Sequence, residues 1–305
     1  MRKTLLALLT LSLALIILAT PTGAITASQL GASQIVNTYN SDNWAGVAYS
    51  VEWKSWFTNY WGSIMWASES IYTGNLTLGY LNFPNYLYTE DIGIWVALSP
   101  AKIGYGTDSS SGSEQSNFVQ AGYNICDDGS HITVWYFLMT LVNGQFTYIY
   151  EKPIPAGAVT HLNVFLENLG NGTALANFYV FYANGTYWTA TIYTSIPWTN
   201  TGAAMSIVEA PSFSTSGGPY YELPYVSGGM INFAFSYIGS DGNEHIGPSN
   251  NPVGTMYADV YNLNEPSTYN VAQAQIYNGW ANNNGGWDYL YQFYYPGAGQ
   301  TTYGL

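Results

Sequence analysis

Ala176-Asn177-Phe178-Tyr179-Val180-Phe181-Tyr182-Ala183-Asn184-Gly185-Thr186-Tyr187-Trp188-Thr189-Ala190-Thr191-Ile192-Tyr193 is the stretch that decides the fold. Two runs rich in aromatic and β-branched residues flank Asn184-Gly185. Such residues suit a pleated, half-buried surface, and Asn-Gly provides the two positive-φ positions of a tight hairpin turn. The pair therefore reads as strands Ala176–Tyr182 and Thr186–Tyr193 joined by a hairpin. Asn143-Gly144 repeats the signal between His131–Leu141 and Gln145–Glu151. Outward from these hairpins, turn residues recur about every 8–12 positions. They delimit further strands at Trp44–Trp53, Gly62–Ile71, Leu76–Asn82, Gly93–Leu98, Asn117–Cys126, His161–Asn168, Met205–Glu209 and Gly229–Tyr237. Helical periodicity is hard to find after residue 25. Strands in this number predict an all-β domain of two stacked antiparallel sheets rather than a small barrel.

The N-terminus has a different character. Arg2 and Lys3 precede an apolar run, Leu5 to Ala19, and small residues surround Ala24. This is the pattern of a secretory signal peptide over residues 1–24. Residues 25–39 read as a short leader, 40–265 as the sandwich, and 266–305 as a Tyr/Asn/Gly-rich extension. No second apolar run of spanning length follows, so a secreted chain with no lasting membrane anchor is expected. Polar, Gly/Ser-rich loops are expected at 99–116 and 210–228.

Charge narrows the partners. The formal net charge is −13, with 5 Lys+Arg against 18 Asp+Glu. Without the signal only Lys54, Lys102 and Lys152 remain against those 18, giving −15. Nucleic acid is excluded as a partner, because phosphates need cations to neutralise them. Charged residues make up only 8% of the chain. Few groups therefore change charge on acidification, which suits work in acid. Cys126 is the only cysteine, so no intrachain disulfide forms. Asn75, Asn171 and Asn184 open N-x-[ST] sequons and are candidate glycosylation sites. A monomer is expected.

Most familiar hydrolytic chemistry carries no mark in this sequence. His131, His161 and His245 are scattered, and neither H-E-x-x-H nor G-x-S-x-G occurs. One cysteine and three separated histidines do not make a zinc site. No metal and no cofactor is expected. Carboxylates, amides and aromatics remain. In Asn117-Phe118-Val119-Gln120-Ala121-Gly122-Tyr123, Phe118, Gln120 and Gly122 share one strand face. In Met205-Ser206-Ile207-Val208-Glu209-Ala210-Pro211, Glu209 shares a face with Ile207 and ends an apolar strand. Taken singly, each reads equally as an ordinary strand residue.

Their order changes the reading. Asn43-Trp44-Ala45-Gly46-Val47, Trp95-Val96-Ala97-Leu98, Phe118-Val119-Gln120-Ala121-Gly122, Val134-Trp135-Tyr136, Ile207-Val208-Glu209 and Pro224 with Gly229-Met230-Ile231-Asn232-Phe233 follow one another. Over roughly residues 40–240 this resembles the glutamic peptidases, the eqolisins. The resemblance implies a concanavalin- or jelly-roll-like sandwich of two seven-stranded antiparallel sheets. It also implies a Gln/Glu dyad in a concave face and activity as a metal-independent acid endopeptidase on protein or peptide substrates. Gln120 matches the family glutamine, an oxyanion donor, and Glu209 the family glutamate, a general base and then acid. Trp95 matches a cleft tryptophan, and Trp44 and Trp135 are expected to line the substrate site with it. Ser99 and Pro100, and Met205 and Ser206, depart from the family pattern around these motifs. A competing reading uses the same aromatics without catalysis: a glycan-binding or cell-surface structural sandwich. A sandwich glycoside hydrolase ranks last, because no carboxylate pair carries a motif.

Overall fold

The computed structural model describes residues 34–41, 44–55, 57–72, 77–80, 90–103, 117–127, 132–154, 159–196, 198–209, 230–264, 273–281, 287–294 and 301–304. The signal peptide, Asn43, Asn75, His131, Pro224 and most of both expected loops lie outside them. Among the described residues there are 19 strands and no helix, in two stacked layers.

The first layer runs, in spatial order, β1 (Gln34–Ser41), β16 (Thr255–Asn264), β2 (Trp44–Lys54), β13 (Ala203–Glu209), β6 (Glu90–Ser99), β7 (Asn117–Asp127), β8 (Ile132–Val142) and β9 (Gln145–Ile154). The short β3 (Asn59–Trp61) extends this layer at the end of β2. The second layer runs β12 (Tyr187–Ser195), β11 (Thr173–Tyr182), β10 (Val159–Asn168), β4 (Ile64–Tyr72) and β14 (Met230–Ile238). The far edge of β14 is shared by β15 (Glu244–Gly247) and β18 (Trp287–Tyr294). β17 (Gln273–Ala281) joins β18 to β16, so hydrogen bonding is continuous through both layers. β5 (Thr77–Tyr80) and β19 (Thr301–Gly304) form a separate pair.

The arrangement departs from two seven-stranded antiparallel sheets. Eight strands cross the first layer, and β1 lies parallel to β16. β1 also takes in residues 34–39, which the sequence reading placed in a leader. β1 and β2 flank β16 on opposite sides, β1 parallel to it and β2 antiparallel. β17 and β18, from the expected C-terminal extension, pair within the sandwich itself.

All twelve strands expected from the sequence are present, with ends shifted by a few residues. Both Asn-Gly hairpins form. Asn143 and Gly144 have φ of 52° and 76°, and Gly185 has φ of 81°. Asn171 and Asn184 occupy exposed turns.

The core lies between the layers. Val47, Tyr49 and Val51 of β2 and Val119, Ala121 and Tyr123 of β7 face Leu162, Val164 and Leu166 of β10 and Phe233 and Phe235 of β14. Burying each large apolar side chain contributes roughly 1.5–3 kcal/mol. Polar groups tie the layers as well. The Tyr123 hydroxyl donates to the backbone carbonyls of Asn163 and Tyr179. Ser206 Oγ donates to the buried Glu69 at 3.0 Å. A second apolar cluster covers the outer face of the first layer, around Trp44, Trp95, Phe118 and Tyr261. Central strands such as β6 are therefore buried on both faces. That is why Ile94–Leu98 reads as an unbroken apolar run rather than an alternation.

Candidate active site

Strand register lays the outer face out as a grid. One row runs Trp44, Glu209, Gly93, Asn124, Trp135 across β2, β13, β6, β7 and β8. The next runs Tyr39, Tyr261, Gly46, Ile207, Trp95, Gly122, Phe137. The third runs Asn37, Asp259, Ala48, Met205, Ala97, Gln120, Met139, Tyr148. Trp44, Trp95, Trp135, Gln120 and Glu209 thus occupy the same face. Glu209 and Gln120 stand two strands and two rows apart, with Trp95 on the diagonal between them.

On a flat sheet, strands about 4.8 Å apart and residues about 3.3 Å apart would separate the Cα atoms of Glu209 and Gln120 by roughly 16 Å. The same spacings put Trp44 and Phe118, at the ends of a longer parallel diagonal, roughly 25 Å apart. Yet the rings of Trp44 and Phe118 lie with centroids 6.1 Å apart. Two aromatic side chains do not bridge that distance unless the sheet curls. Strand twist makes a sheet saddle-shaped, raising the corners of one diagonal toward each face. Here the raised diagonal is the one that carries Glu209 and Gln120. The outer face is therefore a trough. Glu209 and Trp44 stand on one wall, and Gln120 and Phe118 on the other. Trp95 forms the floor, packed edge-on to Trp44 at 5.3 Å and stacked on Phe118 at 5.9 Å.

Glycines make this packing possible. A Cβ on Gly122 would strike Ile94 O and come within 2.6 Å of Trp95 Cβ, and one on Gly46 would strike Ser206 O. These bare positions flank Ile207 and Trp95 in their row. They explain in packing terms why glycine stands two residues after both Trp44 and Gln120. A Cβ on Gly93 would lie 3.1 Å from Asn124 Oδ1 and 3.7 Å from Glu209 Cβ.

The Trp95 indole N–H donates to Glu209 Oε2 at 2.8 Å. Trp95 is fully buried and Glu209 partly exposed, so the bond anchors the carboxyl to the buried aromatic cluster. A hydrogen bond to a charged group is worth roughly 1.5–3 kcal/mol. Gln120 is only 2% exposed and stands on the wall opposite Glu209.

The residues that depart from the family pattern have structural roles. Ser99 Oγ donates to Asn117 O at 2.7 Å and accepts from Ala101 N at 3.2 Å, fixing the exit from β6. Met205 is buried in the third row between Ala48 and Ala97. Ser206 points inward to Glu69. His161 stacks on Phe181 at 4.8 Å in the second layer, and His245 pairs with Asp241 at 2.9 Å on the β14–β15 turn. Among the described residues no three His, Cys, Asp or Glu side chains gather to hold a metal ion. Asn124 and all of β16 were not singled out from sequence. The even-numbered alternation Phe118, Gln120, Gly122, Asn124 carried the signal for Asn124. Tyr257, Asp259 and Tyr261 carried it for β16.

The fold and this trough define a β-sandwich with an aromatic-lined, carboxylate-bearing face. No protein-family model matches the chain, and no curated protein matches it. Solved structures do. A scytalido-glutamic peptidase bound to a transition-state analogue inhibitor is 12% identical, over 83% of this chain and 100% of that one, with a TM-score of 0.45. A second scytalido-glutamic peptidase structure, with a peptide-based transition-state analogue, is 13% identical over 72% of this chain and 98% of its own, with a TM-score of 0.39. SCP-B, an eqolisin-family peptidase in complex with the tripeptide Ala-Ile-His, is 13% identical with the same coverage and a TM-score of 0.37. At such identities and TM-scores the likeness decides neither activity nor site residues.

Proposed function

We propose that this protein is a metal-independent acid endopeptidase with Glu209 and Gln120 as its catalytic pair. The observation that carries the reading is their placement on opposite walls of one trough, with Trp95 between them and bonded to Glu209. A peptide bound at this face presents its scissile carbonyl between Glu209 and Gln120. The Glu209 carboxylate accepts a proton from water as the water oxygen adds to the carbonyl carbon. The Gln120 amide donates to the oxygen that gains the negative charge. The protonated Glu209 then gives its proton to the amide nitrogen as the C–N bond breaks, which restores the carboxylate. One oxyanion donor is worth about 3–4 kcal/mol in other hydrolases.

The reading extends to setting. The apolar run after Arg2 and Lys3 supports secretion, and the 8% charged content supports service in acid. The exposed turns at Asn171 and Asn184 are open to glycan attachment, and the chain works as a monomer. A second reading draws on β12, where Tyr187 and Tyr193 are exposed on the outer face of the second layer. Glycan binding there would be indifferent to changes at Glu209.

The test is hydrolysis of denatured protein at acid pH in the presence of pepstatin, comparing the natural chain with Glu209→Gln and Gln120→Ala. The pair predicts pepstatin-resistant cleavage that both changes abolish or cut by about 10²–10³-fold. Full activity in Glu209→Gln would sink the assignment.

A further inference from the structure

The wall that carries Gln120 continues outward to the edge strand β9. Phe118 stands beside Leu141 of β8, and Leu141 beside Phe146 of β9. In the next row Gln120 stands beside Met139, and Met139 beside Tyr148. Exposure rises along this path. Phe118 is fully buried, whereas Phe146 is 58% exposed and Tyr148 is 51% exposed. The Phe118 and Phe146 rings meet edge to face at 6.5 Å, so the exposed aromatics are continuous with the trough.

A register shift puts them there. β9 slips by one residue against β8 between Leu138 and Met139, with Ile149 as the extra residue. Side chains alternate faces along a strand, so without the slip Tyr148 and Tyr150 would share a face. With it, Tyr150 turns inward and stacks on Tyr136 at 5.4 Å, while Tyr148 and Phe146 both join the outer face. Bulges of this kind gather near active sites, where they re-aim side chains. Edge strands ordinarily protect themselves with charge or proline. β9 carries Glu151, Lys152 and Pro153 at one end, but its other end exposes a phenylalanine and a tyrosine next to the Gln120 wall.

We infer that Phe146 and Tyr148, backed by the buried Phe118, form an apolar subsite on the Gln120 wall that receives a large aliphatic or aromatic side chain of an extended polypeptide substrate. The inference rests on the proposed peptidase reading and adds a substrate preference to it. A side chain projecting toward that wall meets the two exposed rings, which Phe118, Met139 and Leu141 support from behind. Small or charged side chains gain little there. Phe146 and Tyr148 fix specificity by burying substrate surface and take no part in proton transfer.

The experiment uses capped oligopeptides that differ at one position, carrying Leu, Phe, Ala or Asp, with the full chain, Phe146→Ser, Tyr148→Ser and the conservative Phe146→Leu. Both residues are more than half exposed, so the serine variants keep the fold. The subsite predicts a KM for Leu and Phe peptides about tenfold or more higher in the serine variants, an unchanged kcat, and little change for Ala and Asp peptides. Phe146→Leu should restore most of the preference. Equal discrimination among the peptides in natural and serine forms would overturn the subsite. Binding of the same peptides to the Glu209→Gln chain, read by fluorescence polarisation, separates the two claims. Preference for Leu and Phe that depends on Phe146, in a natural chain that cleaves nothing, would uphold the subsite and refute the peptidase.

Discussion

Trp95 donates its indole N–H to Glu209 across neighbouring strands at 2.8 Å, from a position with no solvent exposure. The bond links the floor of the trough to its one catalytic carboxyl candidate. It aligns the carboxyl. Trp95→Phe keeps most of the ring packing on Trp44 and Phe118 and removes only the donor. The expected result is a loss of about tenfold or more in kcat with the fold retained. An unchanged kcat would mean that the bond serves packing alone.

Gly122 is predicted to tolerate no side chain. The Cβ of Gly122→Ala would meet Ile94 O and Trp95 Cβ, both on the adjoining strand, so β6 and β7 must part. Overpacking of this sort costs about 1–3 kcal/mol. At Gly144 an added Cβ meets nothing within 4 Å, but φ is 76°. Gly144→Ala should therefore cost only about 1 kcal/mol, through backbone strain. Denaturant melts of the two variants separate crowding from strain.

His161 makes the fold pay a small acid penalty. Burial lowers its pKa, partly offset by a hydrogen bond with Asn163. The folded chain then holds this proton less tightly than the unfolded chain, whose histidine titrates near about 6.5. Stability from this position is full above that pH and falls as the pH drops below it. His161→Gln should raise the Tm at about pH 4 and leave it unchanged at about pH 8. A gain of equal size at both would assign the effect to packing.

Asp241 behaves in the opposite sense, at an exposed turn. Its hydrogen bonds to His245 and Asn243 hold its pKa down at about 2. A depressed carboxyl stabilises the fold above its unfolded value near about 3.9, and the contribution fades as the pH falls through about 2. NMR titration of the Asp241 carboxyl should show this low midpoint. In His245→Ala the midpoint should return toward the ordinary carboxylate range.

The strands were legible wherever a turn and an alternation stood together. Asn143-Gly144 and Asn184-Gly185 announced their hairpins because glycine, and in the first turn Asn143 as well, accepts positive φ at little cost. β16 was missed, although Tyr257, Asp259 and Tyr261 alternate with Met256, Ala258 and Val260. Its partners β1 and β2 lie more than 200 residues earlier, and no local turn marks such a pairing. The register slip at Ile149 was likewise invisible, since Tyr148 and Tyr150 look equivalent until β8 sets which face each takes.

By itself the sequence determined that this chain stacks β-sheets, that it carries almost no basic charge, and that Gln120 and Glu209 each share a strand face with apolar neighbours. Those are local properties of composition and period-two alternation. Only the tertiary structure decided that the two residues occupy one face, that sheet twist curls that face along their diagonal, and that Trp95 sits between them. Register between distant strands and the sign of a sheet's curvature arise from the pairing of whole strands, and no single segment encodes them.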